Sequence, residues 1–280
     1  MNLDAWWASG ERRRLAGHEI FVRTEGDAGA WTTWLHGFPT SSWDWAPLLE
    51  AVEGGGRHLC LDFLGFGASD KPARHPYAIV EQADIIAAAW RELGIGSTRL
   101  VAHDYGVSVA QELLARAGDG AGLGVELTEV AFLNGGLFPA LHRPLRVQRL
   151  LAGPAGPLLS RLATERTFTQ GLGEVMAKPP PAEELHQHWR AFSRAGGHRR
   201  AHRLLRYMAE RRANEARWVG ALEATAVPLR FVWGPLDPVS GAHVVPELRR
   251  RLPGSPVTVL DGVGHYPQLE ATAEVAAALG

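Results

Sequence analysis

Six short apolar runs constrain the fold of this chain most. Most of them end in or beside Gly, Asp or Asn, where a buried strand meets a loop. They are rich in Val, Leu, Phe and Trp, which favour buried strands. In chain order they are WTTWLHG (31–37), HLCLDF (58–63), RLVAHD (99–104), EVAFLNG (129–135), LRFVWG (229–234) and VTVLDG (257–262). Helical patterns alternate with them, most clearly over residues 77–94. The alternation predicts an α/β fold with a mainly parallel sheet covered by helices on both faces.

Residues 137–217 break this alternation. They contain no strand pattern, but two helical patterns, near 182–194 and 199–215, together with turns that contain proline. A helical insert between two strands of such a sheet is typical of a lid over the strand ends, where ligands bind. We therefore expect a core domain formed by residues 1–136 and 218–280, and a helical cap, residues 137–217, that builds the substrate pocket.

Composition excludes several classes of partner. The 280 residues include 29 basic and 30 acidic side chains, so the formal net charge of −1 gives no global field to hold nucleic acid or an anionic membrane. The single cysteine, Cys60, cannot form an intramolecular disulfide and lies in a strand pattern, which favours a buried thiol in a reducing compartment. No run of 18 apolar residues and no basic leader occurs. We expect a cytoplasmic protein with no membrane span.

The turn HGFP, residues 36–39, follows the first apolar run. A backbone N–H just after a strand, beside a glycine that lets the chain approach closely, is what an oxyanion hole requires. We expect the N–H of Phe38 to be one donor of such a hole. An ordinary tight turn is the alternative.

The stretch HDYG, residues 103–106, lies between a strand pattern and a helical pattern. In a G-x-S-x-G elbow the nucleophile lies on this kind of turn, and the next residue's N–H points at the developing oxyanion. Here Asp104 stands at the apex and Tyr105 would supply the second N–H. Asp is also a favoured helix N-cap, so capping is the alternative for Asp104. Ser108 is expected to pack inside the helix.

Two further motifs complete a set of catalytic residues. His265 lies in the loop GVGHYPQLE after the last strand pattern, where a hydrolase general base is found. Asp237, in WGPLDPV, ends a strand pattern and is placed to accept the other ring N–H of that histidine. The order Asp104, Asp237, His265 is the nucleophile, acid and base order of α/β-hydrolases.

These motifs resemble the α/β-hydrolase superfamily, and Asp at the apex resembles its branch of epoxide hydrolases and haloalkane or haloacid dehalogenases. The resemblance is closer still to the mesoderm-specific transcript family, through LHGFPTSSWDW, LDFLGFGASDKP, HDYG, NGGLFP, HRPL, WVGAL, GPLDPV and HYPQLE. It extends from about residue 34 to residue 270. It implies the α/β-hydrolase fold, with a mostly parallel eight-stranded sheet and an inserted helical lid.

The resemblance also implies a mechanism. Asp104 attacks an sp³ carbon to give an alkyl–enzyme ester, and His265 activates the water that hydrolyses this ester. A halide leaving group is held in relatives by a Trp after the nucleophile and an Asn after the HG pair, where this chain has Tyr105 and Phe38. An epoxide oxygen needs a proton donor, which relatives supply as lid tyrosines. Tyr207 is the candidate here, with helix packing as its alternative, and Phe168 is the aromatic residue nearest to the usual second lid tyrosine.

Three aromatic side chains near the HGFP turn are further candidates for the pocket. Trp43 or Trp45 would line it and offer an indole N–H to a halide, with core packing as the alternative. His36 lies at a strand end beside the site. No metal is expected: His186 and His188, two residues apart, point to different sides of a helix. No organic cofactor is expected either.

The sequence thus predicts a cofactor-free hydrolase that acts on a small apolar or amphipathic molecule, with an epoxide as the favoured substrate. Dehalogenation is one alternative. A catalytically weak ligand-binding protein and a cofactor-independent oxygenase are the others. Both a monomer and a homodimer remain open.

Overall fold

The computed structural model describes residues 1–52, 55–119 and 122–280. Eight strands lie within them: β1 (Glu11–Leu15), β2 (His18–Glu25), β3 (Trp31–Leu35), β4 (Arg57–Leu61), β5 (Ser97–His103), β6 (Glu126–Leu133), β7 (Leu229–Trp233) and β8 (Val257–Val259). They form one sheet in the order β1-β2-β4-β3-β5-β6-β7-β8, in which β2 is antiparallel to both of its neighbours and the other pairs are parallel. The predicted mostly parallel eight-stranded sheet is confirmed.

Helices cover both faces of this sheet. In chain order the described α-helices are α1 (Leu3–Ala8), α2 (Ala46–Ala51), α3 (Ile79–Glu92), α4 (Tyr105–Gly118), α5 (Arg146–Ala152), α6 (Gly156–Leu162), α7 (Glu165–Gly173), α8 (Ala182–Ser193), α9 (Ala201–Leu204), α10 (Tyr207–Ala213), α11 (Glu215–Ala224), α12 (Val245–Arg251), α13 (Pro267–Glu270) and α14 (Thr272–Leu279). Short 3₁₀ turns occupy Ser42–Trp45, Pro139–Leu141 and Arg194–Arg200.

Two apolar clusters, one on each face, form the core. Along β5, Leu100 and Ala102 belong to one cluster and Val101 to the other, because successive side chains of a strand point to opposite faces. The first cluster takes apolar side chains from α3, α4, α11 and α12, and the second takes them from α1, α2 and α14. The sheet is therefore buried on both faces, as its continuous apolar strands predict.

The helices α5 to α10 all lie between β6 and β7, where the helical insert was expected. The expected border at residue 217 falls inside α11, which packs on the core: the indole N–H of Trp218 donates to Glu112 of α4 at 2.8 Å. We retain as a proposal the division into a core, 1–136 and 218–280, and a cap, 137–217. No helix in the described ranges is long and apolar enough to cross a membrane.

Parallel pairing brings the ends of four strands to one edge of the sheet. Leu35 at the end of β3 pairs with Ala102 of β5, and Leu133 at the end of β6 lies between His103 and Val232. The residues that follow these strands therefore meet at the carboxyl edge, beneath the cap.

Candidate active site

Asp104 occupies a strained turn between β5 and α4. Its φ of 45° and ψ of −104° lie outside the regions that non-glycine residues favour. The N–H of Gly106 donates to the carbonyl oxygen of His36 at 3.0 Å, and a Cβ at position 106 would collide with the carbonyl oxygen of Leu35. Close packing against β3 thus requires glycine here and holds Asp104 at the apex of a sharp strand-to-helix turn.

The carboxylate of Asp104 makes no capping hydrogen bond to α4. Its Oδ2 accepts the N–H of Phe38 at 2.9 Å. Its Oδ1 lies 3.4 Å from the hydroxyl of Tyr207 and 3.7 Å from Nε2 of His265. The side chain, 5% exposed, therefore faces a backbone donor, a phenol and an imidazole instead of the helix that follows it.

The N–H of Phe38 donates to the carboxylate of Asp104, as one donor of an oxyanion hole would. It is fixed because the hydroxyl of Tyr266 donates to the carbonyl oxygen of Phe38 at 3.0 Å. The N–H of Tyr105 belongs to the first turn of α4, where N–H groups have no acceptor within the helix. The N–H of Phe38 is thus placed to stabilise negative charge on a carboxyl oxygen of Asp104, and Tyr105 as the second donor stays a prediction.

His265 and Asp237 form a buried pair. Nδ1 of His265 donates to Oδ2 of Asp237 at 2.7 Å, which leaves Nε2 facing Asp104. Burial on its own would lower the pKa of His265, but the charge and hydrogen bond of Asp237, with the charge of Asp104, outweigh it and raise this pKa to about 9. The ring is held in the orientation that a general base for water needs.

Sequence reasoning missed the other partners of Asp237. Its carboxylate also accepts the amide N–H of Asn134 at 3.0 Å, the hydroxyl of Ser240 at 2.6 Å and the N–H of Val239 at 2.7 Å. Although burial opposes it, the charge and hydrogen bond of His265, with the hydrogen bonds of Ser240 and Val239, hold the pKa of Asp237 below its usual range. Asn134 is the last but one residue of the apolar run over 129–135, so a polar residue at this strand end was visible in the sequence.

Glu270 ties the loop of His265 to the cap. Its carboxylate accepts four backbone N–H groups, at 2.8 to 3.1 Å, from Gly264, Tyr266, Ala177 and Lys178. The N–H of His265 itself donates to the carbonyl oxygen of Val175 at 2.9 Å. One carboxylate thus fixes the position of the proposed base relative to the cap, a role that its place in HYPQLE does not reveal.

Tyr207 brings a cap hydroxyl to the nucleophile. It is 1% exposed, and burial, followed by the charge of Asp104, raises the pKa of Tyr207 above its usual range. The guanidinium of Arg211, one turn further along α10, lies 4.7 Å from the centre of its ring. Arg211 is 2% exposed, and its Nε and Nη1 have no hydrogen-bond partner within the part of the chain that the structure describes. A buried cation without a partner opposes folding.

An apolar cavity of about 320 Å³ opens beside these residues. Phe38 and His265 line it from the core, and its lining from the cap includes Leu145, Leu172 and Phe168. Phe168 therefore lies where a pocket residue was expected, stacked on Phe192 with ring centres 5.2 Å apart. The volume suits a small apolar molecule.

Trp43 and Trp45 are not in this lining, and the expectation that one of them lines the pocket is wrong. The indole N–H of Trp43 donates to the carbonyl oxygen of Met1 at 3.1 Å. Trp45 is fully buried against Trp34 in the core. Both point toward the face that α1 covers, so neither indole reaches the site.

His36 is likewise absent from the lining of the cavity, and both of its ring nitrogens are hydrogen-bonded within the protein. Its Nδ1 donates to the carbonyl oxygen of Gly37 at 2.9 Å, and its Nε2 accepts the N–H of Phe63 at 3.1 Å. Burial lowers the pKa of His36 to about 4, so the ring is neutral. It shapes the turn that carries Phe38.

A group with the spacing of metal ligands lies outside the site. The ligand atoms of His18, His75 and Glu81 lie within 4.8 Å of one another. However, Nδ1 of His75 accepts the N–H of Tyr77 at 3.1 Å, which places the proton of this ring on Nε2. That nitrogen lies 3.2 Å from Glu81. Nε2 of His18 forms a hydrogen bond with Glu81 at 3.3 Å, so the trio links β2 and α3.

Known proteins share this architecture. The Alpha/beta hydrolase family matches residues 34–278. The mesoderm-specific transcript homolog protein of Bos taurus is 41% identical over 280 residues, covering 96% of this chain and 84% of that protein. The putative hydrolase LipZ of Mycobacterium tuberculosis is 36% identical over 268 residues, covering 95% and 92%.

Solved structures show the same fold. The haloalkane dehalogenase DatA from Agrobacterium tumefaciens C58 superposes with a TM-score of 0.80 at 23% identity, covering 96% of this chain and 94% of that one. The haloalkane dehalogenase DbeA from Bradyrhizobium elkani USDA94 gives a TM-score of 0.78 at 26% identity, covering 96% of each.

Proposed function

This chain belongs to the α/β hydrolase family, and we propose that it hydrolyses small epoxides through a covalent ester on Asp104. The family and its relatives support a hydrolase. The finer statement rests on one arrangement: the cap hydroxyl of Tyr207 and the imidazole of His265 lie 3.4 Å and 3.7 Å from the same oxygen of Asp104. A proton donor for the first step and a base for the second thus flank one nucleophile.

In the first step, Oδ1 of Asp104 attacks an epoxide carbon and the carbon–oxygen bond of the ring breaks. The released electron pair stays on the epoxide oxygen, which takes the phenolic proton of Tyr207. The products are an alkyl ester on Asp104 that carries a hydroxyl group, and a phenolate on Tyr207. The raised pKa of Tyr207 keeps the phenol protonated until an alkoxide forms beside it.

In the second step, His265 takes a proton from water and the hydroxide attacks the carboxyl carbon of Asp104. The N–H groups of Phe38 and Tyr105 stabilise the tetrahedral oxyanion. Collapse breaks the ester bond, and the departing alkoxide takes the proton of the new carboxyl group to give the diol. The proton on His265 then returns to the phenolate of Tyr207, so the enzyme is restored and one water is consumed.

The buried charge of Arg211 suits this sequence. Negative charge moves from the carboxylate of Asp104 to the phenolate of Tyr207, over whose ring the guanidinium lies at 4.7 Å. A cation on the face of the ring stabilises the phenolate more than the neutral phenol. Arg211 is thus a positioning residue that acts through Tyr207. The negative charge that balances its guanidinium is the phenolate of Tyr207, which forms during the reaction.

Intact-protein mass spectrometry of the His265→Ala variant tests the proposal. With the base removed, the ester should accumulate, and its mass identifies the chemistry: an epoxide adds its whole mass, whereas a haloalkane adds its mass less that of the hydrogen halide. Peptide mapping should place the adduct on Asp104, and Asp104→Asn should show none. An unmodified His265→Ala protein after incubation with a broad epoxide set would contradict the proposal.

Dehalogenation is the second candidate, because haloalkane dehalogenase 2 of Mycobacterium bovis is 23% identical over 249 residues. The site offers little to a halide. The side chains of Phe38 and Tyr105 carry no N–H, and the ring of Tyr105 packs between Phe63 and Phe66 at 5.4 and 5.2 Å. We therefore rank it below epoxide hydrolysis, and the mass of the trapped adduct separates the two.

A further inference from the structure

Four large apolar side chains of the cap face solvent together on α5 and α6. They are Val147, Leu150, Leu158 and Leu162, with exposed fractions of 48, 57, 62 and 63%. Other exposed large apolar residues of the described chain, at positions 1, 80 and 236, lie far apart in the sequence. Soluble proteins rarely gather such side chains without a partner for them.

The same segment is strongly basic. Arginines surround the apolar side chains at exposed positions 143, 146, 149 and 161. No Asp or Glu occurs from residue 130 to residue 164. A chain whose formal net charge is −1 thus carries a local excess of positive charge on one pair of helices. We call this surface, the exposed side of residues 143–162, the cap patch.

The mouth of the cavity lies within the cap patch. Val147, Leu150 and Leu162 line the cavity, yet about half or more of each side chain is exposed to solvent. His265 and Phe38 line the same cavity, so a molecule that enters between these apolar side chains reaches the proposed site. Whatever covers the cap patch therefore controls what reaches the site.

We propose that the cap patch docks on a bilayer that carries anionic headgroups, and that substrates enter the cavity from the bilayer. Leucines at the boundary of headgroup and acyl chain, with arginines at the level of the headgroups, are typical of short helices that lie on a membrane. The substrates are then apolar molecules that partition into lipid. The net charge of the whole chain predicts no attraction to an anionic membrane. The positive charge of the cap patch reverses this expectation for that surface.

Charge also argues against a second copy of this chain as the occupant. A two-fold dimer would place the cap patch against itself, and arginines would meet arginines with no acidic side chain in either patch. A protein partner would seal the mouth of the cavity. The docking inference does not depend on the chemistry of Asp104, so it stands or falls separately from epoxide hydrolysis.

Flotation of the full chain with lipid vesicles tests the inference. The chain should float with vesicles of phosphatidylcholine and phosphatidylglycerol, far less with phosphatidylcholine alone, and less as salt rises. Leu158→Ser with Leu162→Ser should abolish flotation. Arg146→Gln and Arg161→Gln should each weaken binding to anionic vesicles about fivefold.

Matched controls change an exposed apolar residue and an exposed arginine outside the cap patch. Val80→Ser, on α3, and Arg249→Gln, on α12, should float like the unchanged chain, and thermal melting should show that all variants fold. Absence of flotation with either lipid mixture would overturn the inference, as would flotation that ignores the leucine and arginine changes. A dimer in size-exclusion light scattering that Leu158→Ser with Leu162→Ser dissociates would assign the patch to a second copy instead.

Discussion

The phenolic oxygen of Tyr207 lies 3.4 Å from Oδ1 of Asp104, although 103 positions separate the two residues. The first belongs to the cap and the second to the core, so the pair is assembled only when the cap lies on the sheet. Proton donor and nucleophile then border the same small volume. An electrophile that enters it meets both at once, and the first step of the proposed reaction depends on this contact.

Tyr207→Phe should separate the two kinds of leaving group. We expect ring opening of an epoxide to slow about 10²- to 10⁴-fold, because the alkoxide loses its proton donor. Alkylation of Asp104 by an alkyl iodide, which needs no proton, should stay largely unchanged. Rapid-quench mass spectrometry of ester formation measures both rates.

Tyr77→Phe is the matched control for that variant. It removes a hydroxyl that donates to the carbonyl oxygen of Pro72 at 2.6 Å and does not contact Asp104. Its ring-opening rate should match that of the unchanged chain. Equal rates with an epoxide for Tyr207→Phe and the unchanged chain would remove Tyr207 from the mechanism.

The pKa of His265 should fall when the nucleophile is esterified. In the free enzyme the charges of Asp237 and Asp104 raise this pKa to about 9, so the ring is mostly protonated at neutral pH. Ester formation removes the charge of Asp104 and one cause of the shift. The neutral ring that accepts a proton from water therefore becomes more populated after the first step.

Two measurements check that esterification of Asp104 lowers the pKa of His265. Nitrogen NMR should give a pKa of about 9 for His265 in the unchanged chain, and a lower value in Asp104→Asn, whose neutral amide imitates the ester. The rate of ester hydrolysis should rise with pH to a midpoint below the value of the free enzyme. Identical titration of His265 in both proteins would show that Asp104 does not control the base.

Asp237→Asn should block the second step and spare the first. An amide at 237 cannot accept the Nδ1 proton and stabilise an imidazolium as the carboxylate does, so water activation should fall by up to about 10⁴-fold. The ester on Asp104 should accumulate during turnover of an epoxide. Rapid-quench measurement should show a burst of epoxide consumption of one equivalent per protein before slow release of diol, and mass spectrometry of the protein should detect the ester.

Ser240→Ala is a conservative control for the Asp237→Asn variant. It removes one hydrogen bond to the Asp237 carboxylate and keeps its charge. This variant should slow ester hydrolysis far less than Asp237→Asn. If Asp237→Asn slowed ester formation as strongly as ester hydrolysis, Asp237 would serve the packing of the site and not the base.

The sequence indicates the parts of the proposed site that local turns create. Asp104 ends one apolar run and Phe38 follows another, and each lies within two residues of a glycine that its tight turn requires, so the signals are local. Prediction from sequence failed for Trp43 and Trp45, because closeness to a turn does not tell which face of the sheet a side chain meets. Glu270 was missed for another reason: the four N–H groups it accepts come from two segments about 90 residues apart in sequence.

The arginines of the cap show the same limit of prediction from sequence, because the sequence does not reveal which side chains are buried. Arg211 and Arg212 are adjacent and identical in type, yet the first is buried over Tyr207 and the second is exposed. From the sequence, the many arginines of the helical pattern over 199–215 predict only that one face of a helix is exposed to solvent. They do not tell which arginine is buried. The docking of α10 on the core decides which arginine loses its water, and that depends on contacts with Gly136, where a Cβ would collide with the Arg211 guanidinium.

Arg211→Met should make the protein more stable and less active. A buried guanidinium without a hydrogen-bonded partner opposes folding, so an apolar side chain of similar length should raise the free energy of unfolding by about 1 to 4 kcal/mol. The phenolate of Tyr207 would lose its cation, so the pKa of this phenol should rise and ring opening should slow. Denaturant unfolding and rapid-quench kinetics measure the two effects.

A fluorinated tyrosine at position 207, which titrates at lower pH, reports the pKa by ¹⁹F NMR without any substrate. Its pKa should rise in Arg211→Met, return toward the original value in Arg211→Lys, and stay unchanged in Arg212→Met, the exposed matched control. A structural arginine would instead lower stability when replaced and leave the phenol unaffected. That pattern would show that the guanidinium packs the cap and does not tune Tyr207, whatever substrate the enzyme takes.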